Sequence, residues 1–188
     1  TSPQYERAVQ LLDRAIEAHA NGRFAEFKFT PEFRAELEEV CAIAHIDVNR
    51  LWNTWTAEGQ FNIQIGEGEN RRTMRVLETG GFERSFRYGQ VAGNEACQVI
   101  RNDHPVVGGV VGSIAQPWIR QIVIPIEGSN QSAFRQTLTM VINQDGRPVI
   151  IAQPAYGLRD MPAEQRSAIQ AQVIDYLRTR YETIGVEV

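Results

Sequence analysis

Gly59-Gln60-Phe61-Asn62-Ile63-Gln64-Ile65-Gly66 is the stretch in which the chain changes period. Within it Phe61, Ile63 and Ile65 alternate with Asn62 and Gln64, the two-residue repeat of a strand with one covered face. Gly66 and Gly68 supply a turn after it. Upstream the repeat is close to four. From Pro3 to Ala20 the residues Tyr5, Ala8, Val9, Leu12, Ala15, Ile16 and Ala20 form one apolar stripe, and Asn21-Gly22 closes that helix. Thr30-Pro31 opens a second helix, with Thr as cap, Pro in the first turn, and Phe33, Leu37, Val40, Cys41 and Ala44 on one side. Asp47 caps a third, short helix that carries Leu51, Trp52 and Trp55 and ends by Gly59.

Downstream the alternation continues. Strands are expected at Arg72–Leu77, Ser85–Val91, Cys97–Ile100 and Val106–Val111, separated by Gly80-Gly81, Gly93-Asn94 and Asn102-Asp103. Two further strands, Trp118–Ile126 and Thr137–Ile142, place Ile122, Ile124, Ile126, Leu138, Met140 and Ile142 on a covered face. Asn143-Gln144-Asp145-Gly146 then turns the chain into Val149–Ala152. From Pro162 to about Thr183, Ile169, Val173 and Leu177 recur at steps of four on a last helix stopped by Gly185. Helices, then adjacent strands, then one helix predict an α+β fold: N-terminal helices, a curled antiparallel sheet of about five to seven strands, and a C-terminal helix packed on the sheet. One domain spanning 1–188 accommodates it, because a chain of this length supports a single core and no linker divides it.

The composition restricts function. A net charge of −4 argues against affinity won by neutralising phosphates, so nucleic acid is disfavoured as a partner. No apolar run reaches the roughly 20 residues of a membrane-spanning helix. The start at Thr1 suggests a processed or trimmed chain, which leaves the compartment open, as self-association is also left open. Cys41 sits on the apolar stripe of its helix and reads as a buried thiol, although Cys41 and Cys97 allow one bridge. Lys28 is the single lysine beside eighteen arginines.

No glycine fingerprint for a dinucleotide, no phosphate loop and no serine elbow occurs, and no cofactor is implied. His19, His45 and His104 lie too far from one another and from the cysteines for paired metal ligation, so no metal is expected. The chemically richest tetrad is Arg101-Asn102-Asp103-His104, where a histidine beside a carboxylate has the makings of a general base, or of a plain polar turn. Arg87 and Tyr88 on one strand, with Trp118 and Arg120 on another, offer guanidinium and aromatic groups to an anionic or planar ligand. The binding site is therefore expected on the other face of the sheet or at the mouth of the curl, among Arg87, Tyr88, Asp103, His104, Trp118 and Arg120, away from the covered face.

The run His104-Pro105-Val106-Val107-Gly108-Gly109, with Ile122-Val123-Ile124-Pro125-Ile126 and Thr137–Ile142, resembles the late sheet of Cache-type sensor domains. That resemblance implies small-ligand binding and carries no site residues over. The functional expectation is a non-catalytic, sensor-like domain that binds a small molecule or a protein. The alternative is a small curled-sheet enzyme of the NTF2 or cystatin kind, using scattered acid and base groups in an apolar pocket. A third is DNA binding through the helical hairpin at 34–57, whose second helix offers only Arg50 as a cation.

Overall fold

The computed structural model describes residues 3–66, 68–83, 90–91, 94–95, 112–113, 115–129 and 131–188. Four helices come first: α1 (Pro3–Ala20), α2 (Phe24–Lys28), α3 (Pro31–Ala44) and α4 (Val48–Thr56). Thr30 caps α3 by accepting the Phe33 N–H at 3.3 Å, and Asp47 caps α4 by accepting from Asn49 and Arg50. The five-residue α2 was not anticipated, since a single turn is too short to show a period.

The strands are β1 (Gly59–Ile65), β2 (Arg72–Thr79), β3 (Gln90–Val91), β4 (Asn94–Glu95), β5 (Ile119–Pro125), β6 (Ser132–Ile142), β7 (Pro148–Ala152) and β8 (Tyr156–Gly157). They form one curled sheet in the order β1-β2-β5-β6-β3-β4, with β7 and β8 also paired to β6. Neighbours are antiparallel apart from one parallel bridge between Val91 and Ser132. Among the described residues five strands have five residues or more, in keeping with the expected number. The strand expected at Ser85–Val91 is described only at its end, as β3, and those at Cys97–Ile100 and Val106–Val111 lie outside the described residues.

The register explains the core. Phe61 pairs with Val76, Glu78 with Ile122, Ile122 with Gln136, Arg120 with Leu138, and Met140 with Ile150, so even-numbered residues of β2, β5, β6 and β7 share one face. The C-terminal helix, α5 (Ala163–Tyr181), covers that face with Ile169, Val173, Leu177 and Tyr181, all fully buried, and α3 and α4 add Phe33, Leu37, Cys41, Leu51 and Trp55. Of the six residues expected on the covered face, Ile122, Ile124, Leu138 and Met140 are in the core; Ile126 is half-buried and Ile142 is 42% exposed. Ile142 is the last residue of β6, and Ile126 follows the last residue of β5. Cys41 is a buried free thiol, and burial, with Asp47 nearby, pushes its pKa up. Among the described residues no helix is long and apolar enough to cross a membrane.

Candidate functional site

β2 ends in Glu78-Thr79, Gly80-Gly81 follow it, and two different environments meet there. The first is ionic. Glu78 points to the α5 side with Val76, and its carboxylate is wholly buried. Its Oε1 accepts a short hydrogen bond from the Tyr181 hydroxyl and lies 3.0 Å from Arg120 Nε. Its Oε2 accepts from the Tyr176 hydroxyl at 3.0 Å and lies 3.1 Å from Arg180 Nε. Arg120 turns its remaining nitrogens to the carbonyls of Trp55, Ala57 and Glu78, and Arg180 donates to those of Thr54 and Ala57. Burial, reinforced by Glu78, raises the pKa of both tyrosine hydroxyls above the ordinary phenol value. Burial also works against the Arg180 charge, but Glu78, Tyr181 and Tyr176 together more than offset it and raise its pKa. One carboxylate thus ties β2, β5, α5 and the segment between α4 and β1 together.

The second environment is a cleft of about 450 Å³. His19, Phe24, Phe29 and Phe82 form its ring-lined wall, and Glu58 and Glu83 bring two carboxylates to it. The His19 ring stacks on Phe82 at 4.5 Å, and Phe24 meets Phe82 edge-on at 5.2 Å. Gly80 packs closely at the base, where a Cβ would stand 3.1 Å from the Phe29 ring and push it by a few tenths of an ångström. The loop is fixed by side chains: Glu58 accepts the Gly80 N–H at 3.2 Å and Thr79 accepts the Gly81 N–H at 2.9 Å.

Lys28 lies directly behind this base. Its ammonium is buried and donates to the Gly80 carbonyl at 3.3 Å. Burial, followed by the repulsion of Arg120, lowers its pKa to about 7, with Glu58 pulling the other way. The sequence marks Lys28 only as the single lysine; the further signal was its place in Phe24-Ala25-Glu26-Phe27-Lys28-Phe29, an apolar surround for one ammonium.

The residues expected to bind fare differently. Arg87, Tyr88, Asp103 and His104 lie outside the described residues, as does the rest of the Arg101–His104 tetrad. Trp118 is half-buried, edge-to-face with Phe33 at 4.7 Å, and belongs to the core boundary. Arg120 is fully buried on the same face as Ile122 and Ile124, not on the opposite face as expected. The correction follows from alternation itself: positions 120, 122 and 124 of one strand point the same way. In the helical hairpin, Arg34 is held by Glu38, Asn49 and the Trp52 ring. Among the described residues no three His, Cys, Asp or Glu side chains converge as a metal site.

Compared with known proteins, the chain matches no family model, no curated protein and no solved structure.

Proposed function

We propose that the chain is a ligand-binding module that performs no covalent chemistry, and that its ligand is a small organic cation with an aromatic body, seated in the cleft above Gly80. The observation that carries this reading is the pairing of ring faces with carboxylates around one concavity: Phe24, Phe29 and Phe82 beside Glu58 and Glu83. Aromatic faces attract cations as well as apolar surface, and a carboxylate at the rim fixes the charged end. The ionic cluster at Glu78 is a poor alternative site, since its carboxylate already meets two hydroxyls and two guanidinium groups away from solvent.

Calorimetric titration with 2-phenylethylamine, 2-phenylethanol and phenylacetate tests the reading, because the three share a ring and differ in charge. The amine should bind most tightly, and Glu58→Gln and Phe82→Ala should each weaken it about tenfold, the loss of one charge-assisted or ring contact. Equal binding of the three compounds, or indifference to both substitutions, would remove the cleft as the site.

One observation favours an enzyme as the second reading: an amine titrating near 7 stands behind the base of the same cleft. A neutral lysine condenses with a carbonyl compound, its nitrogen bonding to the carbonyl carbon while the oxygen leaves as water. Borohydride then reduces the imine to a stable secondary amine. Incubation with benzaldehyde and borohydride, followed by peptide mapping, distinguishes the readings: a benzyl adduct on Lys28 supports the enzyme, and an unmodified Lys28 supports the binding module.

A further inference from the structure

Among the described residues the sheet is incomplete between β2 and β5. The two strands pair only over Leu77–Val123, Glu78–Ile122 and Thr79–Gln121, leaving the first half of β2 without a described neighbour on that side. β5 has no described pair with β2 beyond Val123, and just past it the β5–β6 register shifts between Ile124 and Pro125, where β6 carries one extra residue, the kind of irregularity that bends a sheet locally. Pro125 also has no N–H to offer across the gap. Between the diverging strands lies a cleft of about 660 Å³, lined by Thr73, Met74, Arg75, Ile124, Pro125 and Glu127 among others.

The direction of the β2 backbone groups follows from the other edge. Gln172 of α5 donates to the Gln64 carbonyl and accepts the Gln64 N–H, both at 2.9 Å, so the Gln64 groups point away from β2. The Gln64–Thr73 pair is therefore of the non-hydrogen-bonded kind, and the Thr73 groups also point outward, toward the gap. Alternation gives Arg75 and Leu77 the same direction; Leu77 meets Val123, while Thr73 and Arg75 meet no described strand. Two N–H and two C=O groups at strand spacing thus face the cleft, and both residues are exposed.

We propose that this gap receives an extended acidic segment of a partner protein, added as a strand beside Thr73–Arg75. An extended chain is the ligand whose donors and acceptors match that spacing. Charge selects the acidic kind. Arg71, Arg72 and Arg75 are all exposed, none forms an ion pair with a described residue, and among the described acidic residues Glu69 in sequence and Glu127 in the cleft stand nearest them. Met74, half-buried at the cleft, gives an inward side chain of the segment an apolar contact. The inference is independent of the cleft above Gly80.

The test uses capped peptides of alternating valine with glutamate, or valine with lysine, added to the intact chain. Amide hydrogen exchange should slow at Thr73 and Arg75 by at least about tenfold with the glutamate peptide and not with the lysine peptide. Arg75→Pro removes one N–H that faces the gap and leaves the β1 ladder, which runs through Met74, in place; it should abolish protection at Thr73. Should Arg75→Pro fail to fold, Arg75→Glu leaves the backbone intact and should transfer the preference to the lysine peptide. Protection by both peptides alike, or by neither, overturns the proposal. So does protection that rises with protein concentration alone, which would assign the gap to a second copy of this chain.

Discussion

Glu78 and Lys28 are both removed from water close to Gly80, yet one is surrounded and the other is not. Glu78 has two guanidinium groups and two hydroxyls on its two oxygens. Lys28 has one carbonyl hydrogen bond, at 3.3 Å, and the nearby positive charge of Arg120. Desolvation acts on both, so the difference between them lies in the partners. Complete pairing makes a buried charge into a structural tie. Incomplete pairing leaves the proton on Lys28 easily lost.

The sharpest way to break the comparison is to remove the tie. Glu78→Gln keeps the shape but leaves Arg120 and Arg180 without their counter-charge, and breaking a buried pair on one side typically costs about 3 to 5 kcal/mol. Urea unfolding should show a loss of that size. A loss under about 1 kcal/mol would mean that the carbonyls of Thr54, Trp55 and Ala57 hold the two arginines without it. Arg120 is the counterpart: it was expected at an open mouth, where its removal would spare stability, and its burial predicts the reverse.

The second test concerns Lys28 and depends on pH. Its folded-state pKa of about 7 lies below the unfolded value, so between the two the unfolded chain binds more protons and stability rises with pH. The cost of burying the ammonium is fully present below pH 7 and fades toward roughly pH 10.4, where the unfolded lysine also loses its proton. Lys28→Met should therefore stabilise the fold by up to about 4 to 5 kcal/mol at pH 6 and by under about 1 kcal/mol at pH 10. A stabilisation that does not change with pH would show that Lys28 keeps its proton nearly as firmly as in the unfolded chain, and so is better paired than its single carbonyl bond indicates.

Much of this architecture was legible because period and capping are local. Thr30-Pro31, Asp47, the alternation at Phe61–Ile65 and the Ile169–Val173–Leu177 stripe each appear within a few residues, and each forms the element expected. The ionic cluster joins Glu78, Arg120, Tyr176, Arg180 and Tyr181, up to 103 positions apart, and no local pattern contains it. Its trace was nevertheless present, since Glu78 follows Val76 and Arg120 precedes Ile122 by two, which puts opposite charges on one apolar face. Reading that parity would have moved Arg120 from the mouth to the core. The cleft above Gly80 was not legible, because it needs α1, α2 and the end of β2 to meet.

The contrast between complete and incomplete pairing extends to neutral groups, with a smaller energy. β1 is an edge strand, and edge strands expose N–H and C=O groups that invite another chain. At Gln64 the amide of Gln172 fills both positions, whereas at Thr73 and Arg75, on the other side of the same ladder, no described group does so. Gln172→Ala should cost about 1 kcal/mol, the net worth of modest, partly exposed hydrogen bonds, because water can replace the amide at the edge. Gln172→Glu separates the two bonds. A carboxylate still accepts the Gln64 N–H, but it has no donor for the Gln64 carbonyl and sets negative charge against that oxygen. It should be no more stable than the alanine variant at neutral pH and should recover part of the loss on acidification, when the protonated acid donates again. Equal stability of Gln172→Glu and the parent chain at neutral pH would show that the donor half of the amide contributes nothing, and that β1 is held closed by Phe61 stacked on Tyr176 at 3.8 Å rather than by its backbone.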